Sequence, residues 1–385
     1  MWRVFSFVIL SAAGVACFTV VDNLYFVGQG YSLTFIGALL ATFNLAVAVA
    51  ELPFAMLFDR WSNKAALQIG NLIRTAAFIL FFLNFGPGWI LTAEALAGVG
   101  AAALSGTANA LIINHSEGTT ADGRARSFGK ITYLSSAAAV VGGLIGVGVY
   151  LIDPRLIWLT AAGFYVLAGA AMLQYKEHRE PHARTSWKQY RVDVFGVLRR
   201  RGTWLLVLTN AGSVAPFLLW QIKFDTFSIV FVVVGFLLMK FAGLIGPLIL
   251  KRFKVPVRLV FAVAIANLAV VGAFGAATAP ALIAVTFFFH VLLHIAQTVL
   301  ISGYFHASVD NTYRATAGSI VSMADSAVIV VLAPLAGAVS QAFGLGWGVS
   351  ISCILYALVA IISTRPGFRR STDEPNQEKE LQRTV

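Results

Sequence analysis

The chain has 385 residues; 58% are hydrophobic, 12% are charged, and the formal net charge is +11. A mean hydropathy of +0.81 excludes a water-soluble domain, because apolar runs of bilayer-spanning length pervade the chain. The basic residues lie between those runs, which speaks for membrane topology and against a nucleic-acid interface.

A hydrocarbon core about 30 Å thick needs roughly 20 apolar residues per helix. Twelve stretches reach that size, at about 4–27, 33–58, 65–85, 87–113, 126–151, 155–174, 203–222, 227–250, 257–276, 280–305, 315–341 and 346–364. The first has no small-residue cleavage site after it and is read as a helix, not a removed signal peptide. Arg60 and Lys64 fall between spans two and three, and Arg124 and Arg126 between four and five. Lys176, Arg179, Arg184, Lys188, Arg191 and Arg199 to Arg201 lie between six and seven. Lys251, Arg252, Lys254 and Arg258 lie between eight and nine, Arg314 between ten and eleven, and Arg365, Arg369 and Arg370 after the last. The opposite loops hold only Arg155 and Lys223. Basic loops stay inside, so both termini are expected in the cytoplasm. Cys17 and Cys353 both fall within spans and suggest neither a disulfide framework nor a metal site.

One long polar stretch, about 175–202, divides six spans from six. The expected organisation is an N-terminal six-helix bundle at 1–175, a cytoplasmic linker at 176–202, a C-terminal bundle at 203–365 and a disordered cytoplasmic tail at 366–385. Within the linker, Trp187, Tyr190, Val192, Val194 and Phe195 would suit a short helix on the inner membrane surface, or a flexible connection. The halves echo each other. Val140–Gly146 reads VVGGLIG and Val331–Gly337 reads VLAPLAG, 191 positions later; Ala55 and Gly246 share that offset. Arg124 and Arg314 open equivalent helices, with one residue of slack. Tandem membrane repeats of this kind place a binding cavity near the midplane and work by alternating access.

Residues 51–67 read ELPFAMLFDRWSNKAAL. This is a helix end, an acid at the cytoplasmic face, a tight turn, and Lys64 opening the next helix. Asp59 could accept bonds from Arg124 or Arg126 and from the helix start after Arg314, forming an inner gate with Arg60 and Lys64. Here the sequence resembles the major facilitator superfamily, whose loop between helices two and three reads Gly-x-x-x-Asp-Arg-x-Gly-Arg-Lys. Asp59, Arg60 and Lys64 match; Ala55, Ser62 and Asn63 replace Gly, Gly and Arg. The lead-in Glu51 to Pro53 resembles the drug and metabolite efflux branch. The resemblance, over roughly 1–365, implies an all-α membrane protein of 12 transmembrane helices in two pseudo-symmetric six-helix bundles, working as a monomer, and it implies a gating role for Asp59. Two features of proton antiporters of that family are replaced. Helix five reads Gly142, Gly143, Leu144, Ile145, Gly146, Val147 without the family's Pro, and Glu94 holds the place of an intramembrane Arg in helix four, ahead of Gly98 and Gly100.

Ionisable groups in hydrocarbon are costly, so they usually face a cavity or a partner. Asp22, Glu51 and Glu94 are the acids of the first half. Burial favours the neutral acid and a nearby cation favours the carboxylate, so a proton and a cationic substrate compete for one group. Asp22 and Glu94 are candidates for that exchange or are hydrogen-bonded structural acids; Glu51 is read as helping the Pro53 bend and the inner gate. Lys240 and Asp325 lie at similar depth and are expected to pair, unless Lys240 lines the cavity and attracts an anion. His290 and His294, spaced i, i+4, with Gln297 nearby, form a polar stripe suited to proton relay. Such a pair could bind metal, but no second acid or Cys cluster joins it. Tyr25, Phe26, Tyr133, Phe217, Trp220 and Phe224 are read as cavity lining or as packing and interfacial rings.

Three functions compete. The first is a secondary transporter exporting lipophilic or cationic small molecules by proton antiport. The second is an uptake symporter or facilitator for a small polar metabolite. The third, a receptor or intramembrane enzyme, lacks a nucleophile–base pair, an HExxH motif, a phosphate loop and a soluble signalling domain. The expected partners are a small-molecule substrate, protons and the lipid bilayer, with no cofactor, metal or nucleic acid. The short Ala- and Gly-rich loops suggest a bacterial inner membrane.

Overall fold

The computed structural model describes residues 2–58, 62–104, 107, 111, 121–176, 194–253, 256, 259–309 and 314–364, except for the side chains of 52, 55–58, 121–128, 253 and 314–316. The described residues form helices and their connections, with no strand among them. In chain order these are α1 (Trp2–Thr19), α2 (Asp22–Gly28), α3 (Leu33–Phe58), α4 (Asn63–Leu83), α5 (Pro87–Leu104), α6 (Ala121–Ile152) and α7 (Leu156–Leu173). Then follow α8 (Arg201–Asp225), α9 (Ile229–Phe253), α10 (Val260–Ala276), α11 (Pro280–Ala307), α12 (Arg314–Phe343) and α13 (Leu345–Ser363). Eleven spans are long and apolar enough to cross a bilayer, with α1 and α2 together making one of them, and α10 is a shorter apolar helix. This is an all-α membrane fold.

The first span is two helices, where the hydropathy pattern predicts one. Thr19, Val20 and Val21 form a β-branched run, which crowds the preceding helical turn. The chain turns there and restarts at Asp22, whose Oδ1 accepts from Asn23 N at 2.9 Å. Elsewhere the ends follow ordinary capping chemistry. Ser62 caps α4 by accepting from Ala65 N at 3.1 Å, and Pro280 opens α11.

Two compact units are present: Met1–Arg184 with Ser228–Phe236, and Thr185–Phe227 with Leu237–Val385. The start of α9 therefore groups with the first unit and its remainder with the second. Each unit has its own internal plan. In the first, α1 packs on α6 and α7, and α4 packs on α5 and α7. In the second, α8 packs on α12 and α13, and α10 packs on α11 and α13. The first and third spans of each six thus choose the same partners, as a tandem repeat requires.

Close approach of α1 and α6 depends on Gly142 and Gly146. A Cβ at either would overlap the backbone of α1, at Ala13 and Cys17 respectively. Small residues four apart let backbones meet where side chains would hold them away. At the matching positions of the second half, Ala333 and Gly337 are buried in α12. Along α9, by contrast, Val230, Val234, Leu237, Phe241, Leu244 and Leu248 are exposed at helical spacing and form an apolar stripe. The helices differ widely in burial: 78% of the apolar stretch of α8 is buried, against 28% for α9.

The polar linker is described only from residue 194. Residues 194–198 are helical, with Val197 in the core of the second unit, while Phe195 is exposed. Trp187, Tyr190 and Val192, and the tail at 366–385, lie outside the described residues.

Candidate functional site

Charge and polarity gather in one place in each unit. In the first, the seam between α4 and α7 is a ladder of side-chain donors to backbone acceptors. Lys64 Nζ donates to Leu173 O at 2.8 Å and Tyr175 O at 2.7 Å, Gln68 Nε2 to Gly169 O at 2.9 Å, and Asn71 Nδ2 to Tyr165 O at 2.7 Å. The donors recur every three or four residues, hence on one face of α4. Lys64, expected at the inner gate, closes the free carbonyls at the end of α7, a favourable place for a cation.

One turn beyond Asn71 the ladder meets Arg74. The Arg74 guanidinium lies over the Tyr165 ring at 4.9 Å and near Phe78 at 5.7 Å from the ring centre. Its stem crosses Gly100 of α5, where a Cβ would fall 2.5 Å from Arg74 Cγ. Glu94 lies on the same helix, six residues before Gly100. At 1.5 Å per residue, Asp22 lies about 9 Å from the Gly28 end of α2. Glu94 lies about 10 Å from the Pro87 end of α5, and Arg74 about 14 Å from the Leu83 end of α4. The chain order puts those three ends on one side of the unit, so two carboxyls and a guanidinium share similar depths.

Arg74 is the residue that sequence reasoning missed. The signal was present: an Arg in the middle of the 65–85 span, too far from either end to reach water. Glu51 belongs elsewhere, half-buried toward the far end of α3. Above the charges sits a ring cluster. Phe81 stacks on Trp158 at 4.4 Å, Tyr25 and Phe26 lie 5.5 and 5.8 Å from the same indole, and Phe18 approaches both Phe78 and Trp158. Asn84, at the left-handed end of α4 (φ 40°), ties Tyr25 and Tyr31 together: its Nδ2 donates to Tyr25 Oη at 3.1 Å, and Tyr31 Oη donates to its Oδ1 at 3.0 Å.

In the second unit the polar stripe of α11 turns inward. His290 is fully buried, and its Nδ1 pairs with Asn267 Oδ1 at 2.8 Å. His294 Nδ1 and Tyr356 Oη are 3.5 Å apart, and the Phe217 ring stands 5.8 Å from each imidazole. Gln297 is fully buried, and neither of its amide atoms has a hydrogen-bond partner among the described residues. Asp325 Oδ2 accepts from Asn210 Nδ2 at 2.7 Å, a contact the sequence did not suggest, while Lys240 lies half-buried on α9. Trp220 stacks on Phe287 at 5.6 Å and Phe224 packs edge-on against the same ring. These aromatics and Tyr25 and Phe26 are packing residues; Tyr133 is exposed.

Of the inner-gate residues, Asp59 and Arg60 lie outside the described residues. Arg124 and Arg126 fall in the first two turns of α6, and Arg314 opens α12, but their side chains also lie outside the description.

Residues 4–309 match the Major Facilitator Superfamily. The chain belongs to that superfamily. It is therefore a multi-pass membrane protein of that superfamily. Solved transporters share the fold. A mutant of the nucleoside transporter NupG superposes with a TM-score of 0.78 at 13% identity, covering 94% of this chain and 98% of that one. A bacterial homolog of the human lysosomal transporter Spinster, inward-facing and unoccupied, gives 0.75 at 15% identity, covering 96% of each chain. The peptide transporter POT in complex with sulfate gives 0.73 at 12% identity, with 96% and 95% covered. Among curated proteins, the multidrug resistance protein MdtH of Yersinia enterocolitica is 29% identical over 193 residues, 49% of this chain and 46% of that protein. MdtH of Yersinia pestis Pestoides F is 30% identical over 148 residues, 38% and 36% respectively. The match spans less than half the length of these relatives.

Proposed function

We propose that this transporter is an exporter of small lipophilic or cationic molecules, driven by proton antiport and working by alternating access as a monomer in a bacterial inner membrane, with both termini cytoplasmic. The observation that carries the reading is the grouping of Asp22 and Glu94 at one depth inside an apolar unit. A carboxyl there releases its proton as a cation arrives and regains it as the cation leaves, which is the exchange antiport requires. The partial likeness to MdtH supports the drug-efflux branch. Asp59, Arg60, Arg124, Arg126 and Arg314 form the inner gate in this reading, and Lys64 anchors its base.

The test is accumulation of a panel of toxic dyes and drugs in an efflux-deficient bacterium expressing the wild type, with and without a protonophore. Lower accumulation that the protonophore abolishes supports export. Higher accumulation, or none changed, contradicts it.

A second reading is proton-coupled uptake, or facilitated entry, of a small polar metabolite. It is favoured by the polar interior of the second unit, where Asn210, Asn267, His290, His294, Gln297 and Asp325 offer hydrogen bonds that an apolar drug would not use.

A further inference from the structure

Asp325 is an acid of the second unit that the antiport reading leaves unused. It stands about 17 Å from the Arg314 end of α12 and about 27 Å from the Phe343 end, far beyond the reach of its single methylene. Asn210, about 14 Å into α8 from Arg201, donates from Nδ2 to Asp325 Oδ2 at 2.7 Å. The other oxygen, Oδ1, is buried and has no hydrogen-bond partner among the described residues. The residues a turn away on both helices are apolar and share one core: Leu206 and Val207 of α8, Ile320 and Val321 of α12, with Ala324 and Val328 packed against them.

The charges around this pair are placed elsewhere. Helix α12 packs on α8 and α13. The charges of α8 lie at its ends, Arg201 at one and Lys223 and Asp225 at the other; α13 has none, its titratable groups being Cys353 and Tyr356. Arg314 is the other charge of α12, at its start. Lys240 is half-buried on α9 and makes no hydrogen bond to Oδ1. An ionised carboxylate without a countercharge is costly in such surroundings, and a neutral acid far less so. Asn210 works the other way, since a bond donated to a carboxylate favours the ionised form. One oxygen is thus held for the carboxylate and the other left bare for a hydrogen. The bare oxygen also selects the ligand: a hard metal cation takes a shell of oxygens, and the carboxyl offers one.

We infer that Asp325 is a proton-binding site of the second unit, held by Asn210 and separate from Asp22 and Glu94. The inference goes beyond the antiport reading and holds for export and uptake alike, because it concerns where a further proton is carried and not what it is exchanged for.

The experiment is infrared spectroscopy of the purified full-length chain in detergent, titrated from acid to alkaline pH and read at the C=O stretch of protonated carboxyls. The variants are Asp325→Asn, Asn210→Ala, Asp22→Asn and Glu94→Gln, with melting curves confirming that each is folded. Wild type minus Asp325→Asn should show one carboxyl band on the acid side that disappears as pH rises, and Asp22→Asn and Glu94→Gln should keep it. Asn210→Ala removes the bond that favours the ionised form, so the band should persist about one to two pH units higher, the worth of a hydrogen bond to a charged group. That shift preserves the test if Asp325→Asn does not fold. Identical carboxyl bands for wild type and Asp325→Asn at every pH, as a permanent ion pair with Lys240 would give, overturn the inference. So does a band that Asn210→Ala leaves at the wild-type pH, or one that sodium removes and choline does not, which marks a metal-cation site. Each of these results leaves the antiport reading at Asp22 and Glu94 standing.

Discussion

Replacing Gly146 with Val places a branched side chain where α6 meets α1. The new Cβ would overlap the carbonyl of Cys17, which is helical backbone with no rotamer to yield. The seam must therefore open, and the contacts between α1 and α6 loosen along their length. Overpacking a tight seam costs about 1–3 kcal/mol. For a unit of this size that corresponds to a fall of roughly 2–12 °C in melting temperature. Gly148, two residues on, is the matched control: it is exposed, and a Cβ there meets nothing within 4 Å. Gly148→Val should stay within about 0.5 kcal/mol of wild type. The assay is thermal unfolding of the purified protein in detergent, scored by loss of the monodisperse peak after heating. Equal melting of the two variants would refute the argument that backbone contact at Gly146, and not general helix propensity, sets the α1–α6 distance.

Three further outcomes follow from individual contacts. Asn210→Ala removes the donor to Asp325 and is expected to cost about 1.5–3 kcal/mol, the range for a hydrogen bond to a charged group, read from the same melting assay. Lys223→Met keeps the apolar stem of a buried side chain but leaves Gly275 O without its 2.9 Å donor and removes the cation from the Phe274 ring. That variant should lose about 1–3 kcal/mol, and the loss relative to wild type should be the same at low and high salt, since the group is buried. If Lys240 and Asp325 pair, the exchange Lys240→Asp with Asp325→Lys should recover most of the transport that either single substitution loses; a double variant no better than the singles would dismiss the pair.

The spans were legible because bilayer thickness fixes the length of an apolar run and the backbone must satisfy itself within each helix. The tandem repeat was legible in small residues: the spacing of Gly142, Gly146, Ala333 and Gly337 is a packing signal that survives side-chain divergence. The break between α1 and α2 was not, because Val20 and Val21 are as apolar as the helix they interrupt, and hydropathy carries no information on backbone angle. Asp22 and Glu94 stood out as charges in apolar surroundings. Arg74 did not, because its ring partner Tyr165 comes from a distant segment. The α4 ladder of Lys64, Gln68 and Asn71 has a visible helical spacing, yet its acceptors are backbone carbonyls of α7, which no residue type announces. For the same reason Asn210 was not linked to Asp325, nor Asn267 to His290: polar pairs across 115 and 23 residues are set by packing, not by local pattern.

Proton exchange at Glu94 and Asp22 is the centre of the account, and proteoliposomes test it most directly. The wild type, Asp22→Asn and Glu94→Gln would be reconstituted with a pH-sensitive dye inside. Adding a substrate cation identified by the accumulation panel to one side should produce a proton flux in the opposite direction with the wild type. At least one neutral variant should lose that flux while still melting as a folded protein. Substrate movement by the wild type with no counterflow of protons, or undiminished counterflow in both variants, would contradict the account.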